Sequence, residues 1–166
     1  MTTFTSARVV RLAAALTAAL AMAACSKTPD PNADGAGGLG GRAGAATPGS
    51  QQDFVVNVGD RVFFETDSTD LTSQAQATLD KQSRWLAQYP RYTITIEGHA
   101  DERGTREYNF ALGAKRGEVT KNYLVARGVP ASRIRTISFG KERPVAVCND
   151  ISCWSQNRRA VTVLGN

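Results

Sequence analysis

The chain has 166 residues, 42% of them apolar and 21% charged, with a formal net charge of +5. That length gives one domain a real core and leaves too little for a second of comfortable size. Residues 1–24 contain Arg8 and Arg11 and no acid, so without them the balance is +5 − 2 = +3; with no basic helix and no aromatic stacking platform, this argues against nucleic acid as a partner.

Arg8 and Arg11 precede LAAALTAALAMAAC, a short apolar run that ends in small residues and a cysteine. This pattern predicts an export signal over 1–24. The run falls short of the roughly 20 residues that a bilayer-spanning helix needs, so no transmembrane anchor is predicted. Small residues directly before Cys25 resemble a bacterial lipobox, in which the cysteine becomes the acylated mature N-terminus, although Met22 stands where Leu, Val or Ile is usual. Two or three acyl chains hold a protein stably at a membrane surface. With Cys25 assigned to lipid, Cys148 and Cys153 are left as an even pair in an exported chain, and a disulfide is expected. A metal site would need further ligands nearby, and the chain has a single histidine.

Residues 25–52 read as a tether. From residue 26 they contain seven glycines, three prolines and no aromatic residue, too little apolar surface to order a chain. Those 27 residues span about 28 Å as a flexible coil. GAGGLG in this stretch fits G-x-G-x-x-G at Gly35, Gly37 and Gly40, but no strand precedes it and no amphipathic helix follows, so it carries no nucleotide site.

The domain is expected over 53–166. FVVNVGDRVFF, rich in β-branched and aromatic residues, predicts a strand broken near Gly59 and Asp60. Thr72 or Ser73 offers an N-cap to a helix with Ala75, Leu79, Leu86 and Tyr89 on one face, stopped by Pro90. YTITIE alternates as a second strand. A second helix follows from about Tyr108 to Arg127, ended by Gly128 and Pro130. RIRTISFG and RRAVTVLG supply two more strands. Two consecutive strand-helix-strand units imply helices packed on a sheet through right-handed crossovers, hence α/β, or α+β if the last strand is antiparallel.

Within this frame the charges of GHADERGTREYN stand out. If the pleat continues past Gly98, then Glu97, His99 and Asp101 share one side of the second strand's carboxyl end, where open α/β sheets commonly bind ligands. On the second helix, Leu112, Val119, Tyr123 and Ala126 form a stripe, with Arg116 within roughly 40° of its centre. A guanidinium buried there requires a partner, and helical side chains lean back toward the N-terminus, which points Arg116 at the loop of Asp101. A carboxylate and a guanidinium held together make a receptor for a zwitterion such as an amino-acid end group. Backbone amides near Tyr108 are candidate further donors to the same carboxylate.

VFFETDSTDL, EGHADERGTREYN, ALGAKRGEV, SFGKERPV and QNRRAV together resemble the OmpA-like peptidoglycan-binding domain family over about residues 54–164. The resemblance implies a β-α-β-α-β-β order with helices on a mixed four-stranded sheet, and non-covalent binding of the diaminopimelate residue of the peptidoglycan stem peptide. Asp101 matches the family position for the ammonium and Arg116 that for the carboxylate. Phe64 and Glu65 match a ligand-near Phe-Asp pair with Asp changed to Glu, and His99 matches a ligand-lining position. Gly117 replaces a common Ala, which is expected to loosen the helix by up to about 1 kcal/mol. Asn109 reads as structural, and Arg158 and Arg159 as structural or rim charges. The likeness further implies an outer-membrane lipoprotein facing the periplasm, consistent with Ser26 after the cysteine, with TolB and other Tol proteins as partners and no cofactor. Two rival readings are a cell-wall hydrolase using His99, Asp101 and Glu102, which lacks any accompanying nucleophile or zincin motif, and a module that binds proteins alone.

Overall fold

The computed structural model describes residues 46–165. The predicted export signal, Cys25 and the tether up to residue 45 lie outside the described residues.

Residues 54–58 are not the strand their composition suggests. Ser50 caps a single α turn, Gln51–Asp53, and the chain then widens into a π-helical turn, Phe54–Val58, closed by the Gly59 amide donating to the Phe54 carbonyl. A pleated strand would send Val56 inward beside Phe54. Instead Phe54 is buried alone, its ring 4.9 Å from that of Trp85, while Val55 and Val56 stay exposed, so one aromatic anchor outweighs the β propensity of its neighbours. Gly59, at φ +92°, ends the turn. The first strand, β1, is only Arg61–Phe63. Residues just before it, assigned to the tether on composition, are packed on the domain. The Gly49 carbonyl accepts hydrogen bonds from the Tyr92 hydroxyl and from Arg91, and the Asp53 carboxylate accepts from the Trp85 indole and the Gly49 amide.

Helix α1, Ser73–Gln88, starts at Thr72, whose hydroxyl accepts from the Ala75 amide. It stops before Pro90 and buries Ala75, Leu79, Trp85 and Leu86 in the core. Helix α2, Arg106–Ala126, begins two residues earlier than its apolar pattern suggests, because Thr105 caps it through the Tyr108 amide. Its end is a Schellman turn: Gly128, at φ +93°, donates to the Val125 carbonyl and Val129 to that of Leu124. The buried face of α2 is Asn109, Gly113, Arg116, Gly117, Thr120 and Leu124, while Ala126 is exposed. The apolar stripe of Leu112, Val119 and Tyr123 flanks the contact. The helix meets the sheet through small residues, which hydrophobicity does not mark.

Strands β2 (Thr93–His99), β3 (Ile134–Gly140) and β4 (Arg159–Gly165) complete a sheet of order β1-β4-β2-β3. β2 runs parallel to β3 and antiparallel to β4, which also pairs antiparallel with β1. The last strand is therefore antiparallel and the sheet mixed, the α+β form of the expected fold. Ile94 and Ile96 of β2, Ala160 of β4 and Val62 of β1 meet both helices in one core. A short helix, α3 (Ile151–Asn157), occupies the segment read as a disulfide loop; Asp150 caps it, and Cys148 is bonded to Cys153.

Candidate ligand-binding site

At the carboxyl end of β2 lies a cavity of about 260 Å³, whose lining includes Asp67, Asp101, Arg103, Tyr108, Arg116 and Arg158. Four pieces of chain converge on it: the β1–α1 loop, the β2–α2 loop, the first turns of α2 and the residue before β4.

Arg116 is fully buried. Its Nε donates to the Ser68 carbonyl at 3.0 Å, Nη1 to that of His99 at 2.9 Å, and Nη2 to that of Glu65 at 3.2 Å. The Phe64 ring lies 5.1 Å away. The partner expected was a carboxylate of the protein, of a ligand or of both, and the protein itself meets this cation with backbone oxygens. A guanidinium has five donors, so two remain beyond these three bonds. Burial, then repulsion from Arg158, lowers its pKa to about 10 against the pull of Asp101, Asp67 and Tyr108. An incoming anion would relieve that cost.

Asp101, also buried, is the cavity's inner acid. Burial pushes its pKa up, but hydrogen bonds from Arg103 and Arg158 overcome this and hold it below the usual carboxylate range. At the rim Asp67, at φ +53°, accepts a hydrogen bond from the Tyr108 hydroxyl, whose pKa that bond raises.

The other expected residues divide. Phe64 sets its ring against Arg116 and its carbonyl accepts from Arg158, whereas Glu65 serves through its carbonyl, which accepts from Arg116; the exposed Glu65 side chain lines a separate groove. His99 contributes its carbonyl, but its imidazole is not in the cavity. It lies on the other face of the sheet, 5.6 Å from the Phe139 ring, with Glu97 at 3.6 Å and neither ring nitrogen hydrogen-bonded. The shared side expected for Glu97, His99 and Asp101 holds only for the first two, because β2 ends at His99 and Asp101 lies in the loop beyond the pleat. The α2 amides expected as donors are spent on the helix cap, Tyr108 on the Thr105 hydroxyl and Asn109 on its carbonyl. Asn109, expected to be structural, lines the cavity and donates to the Arg103 and Thr105 carbonyls. Arg158 and Arg159 are both buried; Arg158 reaches Asp101, whereas Arg159 binds the carbonyls of Asn157 and Arg143. Glu102 is turned to the Trp154 indole. The three residues of the hydrolase reading therefore do not converge. Asp67, Arg103 and Arg158 carried no periodic signal that would have marked them.

Arg116 and Asp101 thus line one cavity at the carboxyl end of β2 in a two-layer α+β fold. Residues 63–158 match the OmpA family, and the chain belongs to that family. It is 72% identical over 152 residues to the peptidoglycan-associated lipoprotein of Rhizobium meliloti, covering 91% of this chain and 85% of that protein. It is 38% identical to the protein of the same name from Pseudomonas aeruginosa, covering 89% and 91%. The crystal structure of the peptidoglycan-associated lipoprotein from Burkholderia pseudomallei superposes with a TM-score of 0.65 at 39% identity, over 69% of this chain and 98% of that one. The C-terminal domain of Helicobacter pylori MotB, 19% identical with a TM-score of 0.59 over 64% and 84%, shares the fold.

Proposed function

We propose that this protein is a non-catalytic peptidoglycan-binding lipoprotein, and that the cavity receives the zwitterionic end of a diaminopimelate side chain. The observation that carries this reading is Arg116, a fully buried cation with no ion-pair partner among the described residues, placed on the same cavity as Asp101. Arg116 takes the ligand carboxylate and Asp101 its ammonium, each charge-assisted contact contributing on the order of 1.5–3 kcal/mol. Acylation of Cys25 anchors the protein in the outer membrane, and the glycine- and proline-rich stretch after it lets the domain reach the cell wall from the periplasmic side. The relatives' shared name supports peptidoglycan as the target. The family resemblance read in the sequence adds TolB and other Tol proteins as partners.

Retention on purified peptidoglycan tests this. Sacculi whose stem peptides contain diaminopimelate should hold the protein, and sacculi with lysine should hold it at least about tenfold less well, because lysine lacks the terminal carboxylate for Arg116. Equal retention on both rejects the assignment, and release of soluble wall fragments makes the protein an enzyme. Intact mass of the mature chain reads the lipid: an unmodified Cys25 removes the anchor.

A further inference from the structure

Asp101 has no acceptor position to spare. Its Oδ1 accepts from the Arg103 amide and from Arg103 Nε, each at 3.2 Å, while its Oδ2 accepts from Arg103 Nη2 at 2.7 Å and Arg158 Nη1 at 3.3 Å. A carboxylate offers about four lone-pair sites, so an arriving ammonium finds them filled. The two arginines differ in how firmly they are held. The Arg158 side chain is 5% exposed and also donates to the Phe64 carbonyl; that of Arg103 is 41% exposed and projects from the loop after β2. Arg103 has one further support. Its guanidinium lies 4.2 Å from the ring centre of Trp154, and the Trp154 indole donates to the carboxylate of Glu102, the neighbour of Arg103 in the chain. Trp154 stands on α3 directly after Cys153 of the disulfide.

We propose that Arg103 is an internal competitor for the ligand's ammonium group: its guanidinium fills the places on Asp101 that the cation must take, and Trp154 is the platform that keeps it there. This rests on the zwitterion reading of the cavity and adds the residue that limits its affinity for the ammonium group. Exchange of one cation for another at Asp101 preserves the local charge balance. A ligand with a carboxylate but no ammonium leaves Arg103 in place and gains only Arg116. A ligand with both groups displaces Arg103 and gains both. The cost appears as a raised apparent Kd, the intrinsic Kd divided by the fraction of time that Asp101 is free, and removing the competitor removes that factor.

The test is calorimetric titration of the full-length protein in detergent micelles with meso-diaminopimelate, and with pimelate as the dicarboxylate without amines. Arg103→Gln should bind meso-diaminopimelate about three- to tenfold more tightly than wild type and pimelate no better. Trp154→Ala, which leaves the competitor but removes its platform, should show a smaller gain in the same direction. Equal or weaker binding of meso-diaminopimelate by both variants overturns the role of Arg103 while leaving the cavity assignment in place. Failure of wild type and variants alike to bind it overturns both.

Discussion

Gly98 of β2 and Gly113 of α2 pass each other backbone to backbone, so closely that a methyl group on Gly98 would stand 1.8 Å from the Gly113 carbonyl oxygen. No side-chain rotation relieves a clash with a carbonyl, so Gly98→Ala must push α2 off the sheet. Gly117, one turn further along the same helix, has room: a methyl there meets nothing nearer than 3.7 Å. Gly98→Ala is expected to abolish cooperative unfolding. Gly117→Ala should stabilise by about 1 kcal/mol through helix propensity alone, which urea melts of the two variants will separate.

Arg116 also staples the β1–α1 loop to the end of β2 through three carbonyls. Arg116→Ala leaves those oxygens buried and unpaired and should cost about 3 kcal/mol or more. Arg116→Lys keeps the charge but not the planar fork, so it too should destabilise and lose peptidoglycan binding. Asp101→Asn should lose binding with a smaller loss of stability. If Arg116→Lys melts like wild type, the stapling role is wrong.

Burial, followed by Arg159 and Arg143, lowers the His99 pKa from 6.5 to about 4. Above pH 6.5 the imidazole is neutral whether folded or unfolded, so the full stability is present. As the pH falls from 6.5 toward 4 the unfolded chain takes up a proton that the folded one refuses, and stability declines. By pH 5 the loss from this group should be about 2 kcal/mol. His99→Gln should flatten the urea-midpoint profile between pH 7.5 and 5, whatever its absolute stability. The depressed carboxyls Asp53, Asp101 and Asp150 lose their contributions only at lower pH, so the two effects are separable. An unchanged slope in His99→Gln would show that the imidazole is not the group responsible.

Reduction of Cys148–Cys153 opens a loop with a sequence separation of 5, worth about 2 kcal/mol in the chain-entropy picture. Hydrogen exchange after reduction should rise over residues 145–157 and leave β2 protected. Faster exchange throughout the sheet would mean that the bridge supports the core.

Much of this was legible because local chemistry and global packing agree. Thr72 and Pro90 bracket α1, the alternation of YTITIE marks β2, and an arginine beside an apolar stripe pointed to Arg116. Where tertiary packing decides, sequence pattern misleads. The π turn at Phe54 exists because Trp85 receives its ring, and α2 binds through glycines whose value lies in what they lack. Arg158 reaches the cavity because β4 pairs with β1 and its Nε meets the Phe64 carbonyl across 94 residues of sequence, a relation no local window contains. The pleat stops at His99, so Asp101 leaves the side that Glu97 and His99 share.

The position of Gly49 has a mechanical consequence. The chain comes in beside Tyr92, just before β2, while the cavity opens at Asp101, just past its end. On the proposed function, with the chain tethered at one end and wall-bound at the other, tension would run along the strand, about 23 Å of it. Because β2 is paired on both edges, that pull shears its rungs together, the loading geometry in which a sheet resists most. Residues 47–58 are held instead by a few separate contacts, Gly49 on Arg91 and Tyr92 and Asp53 and Phe54 on Trp85, and on that reading they should peel first. Their release would pay out about 40 Å of chain before the sheet yields, a slack reserve in series with the stronger element.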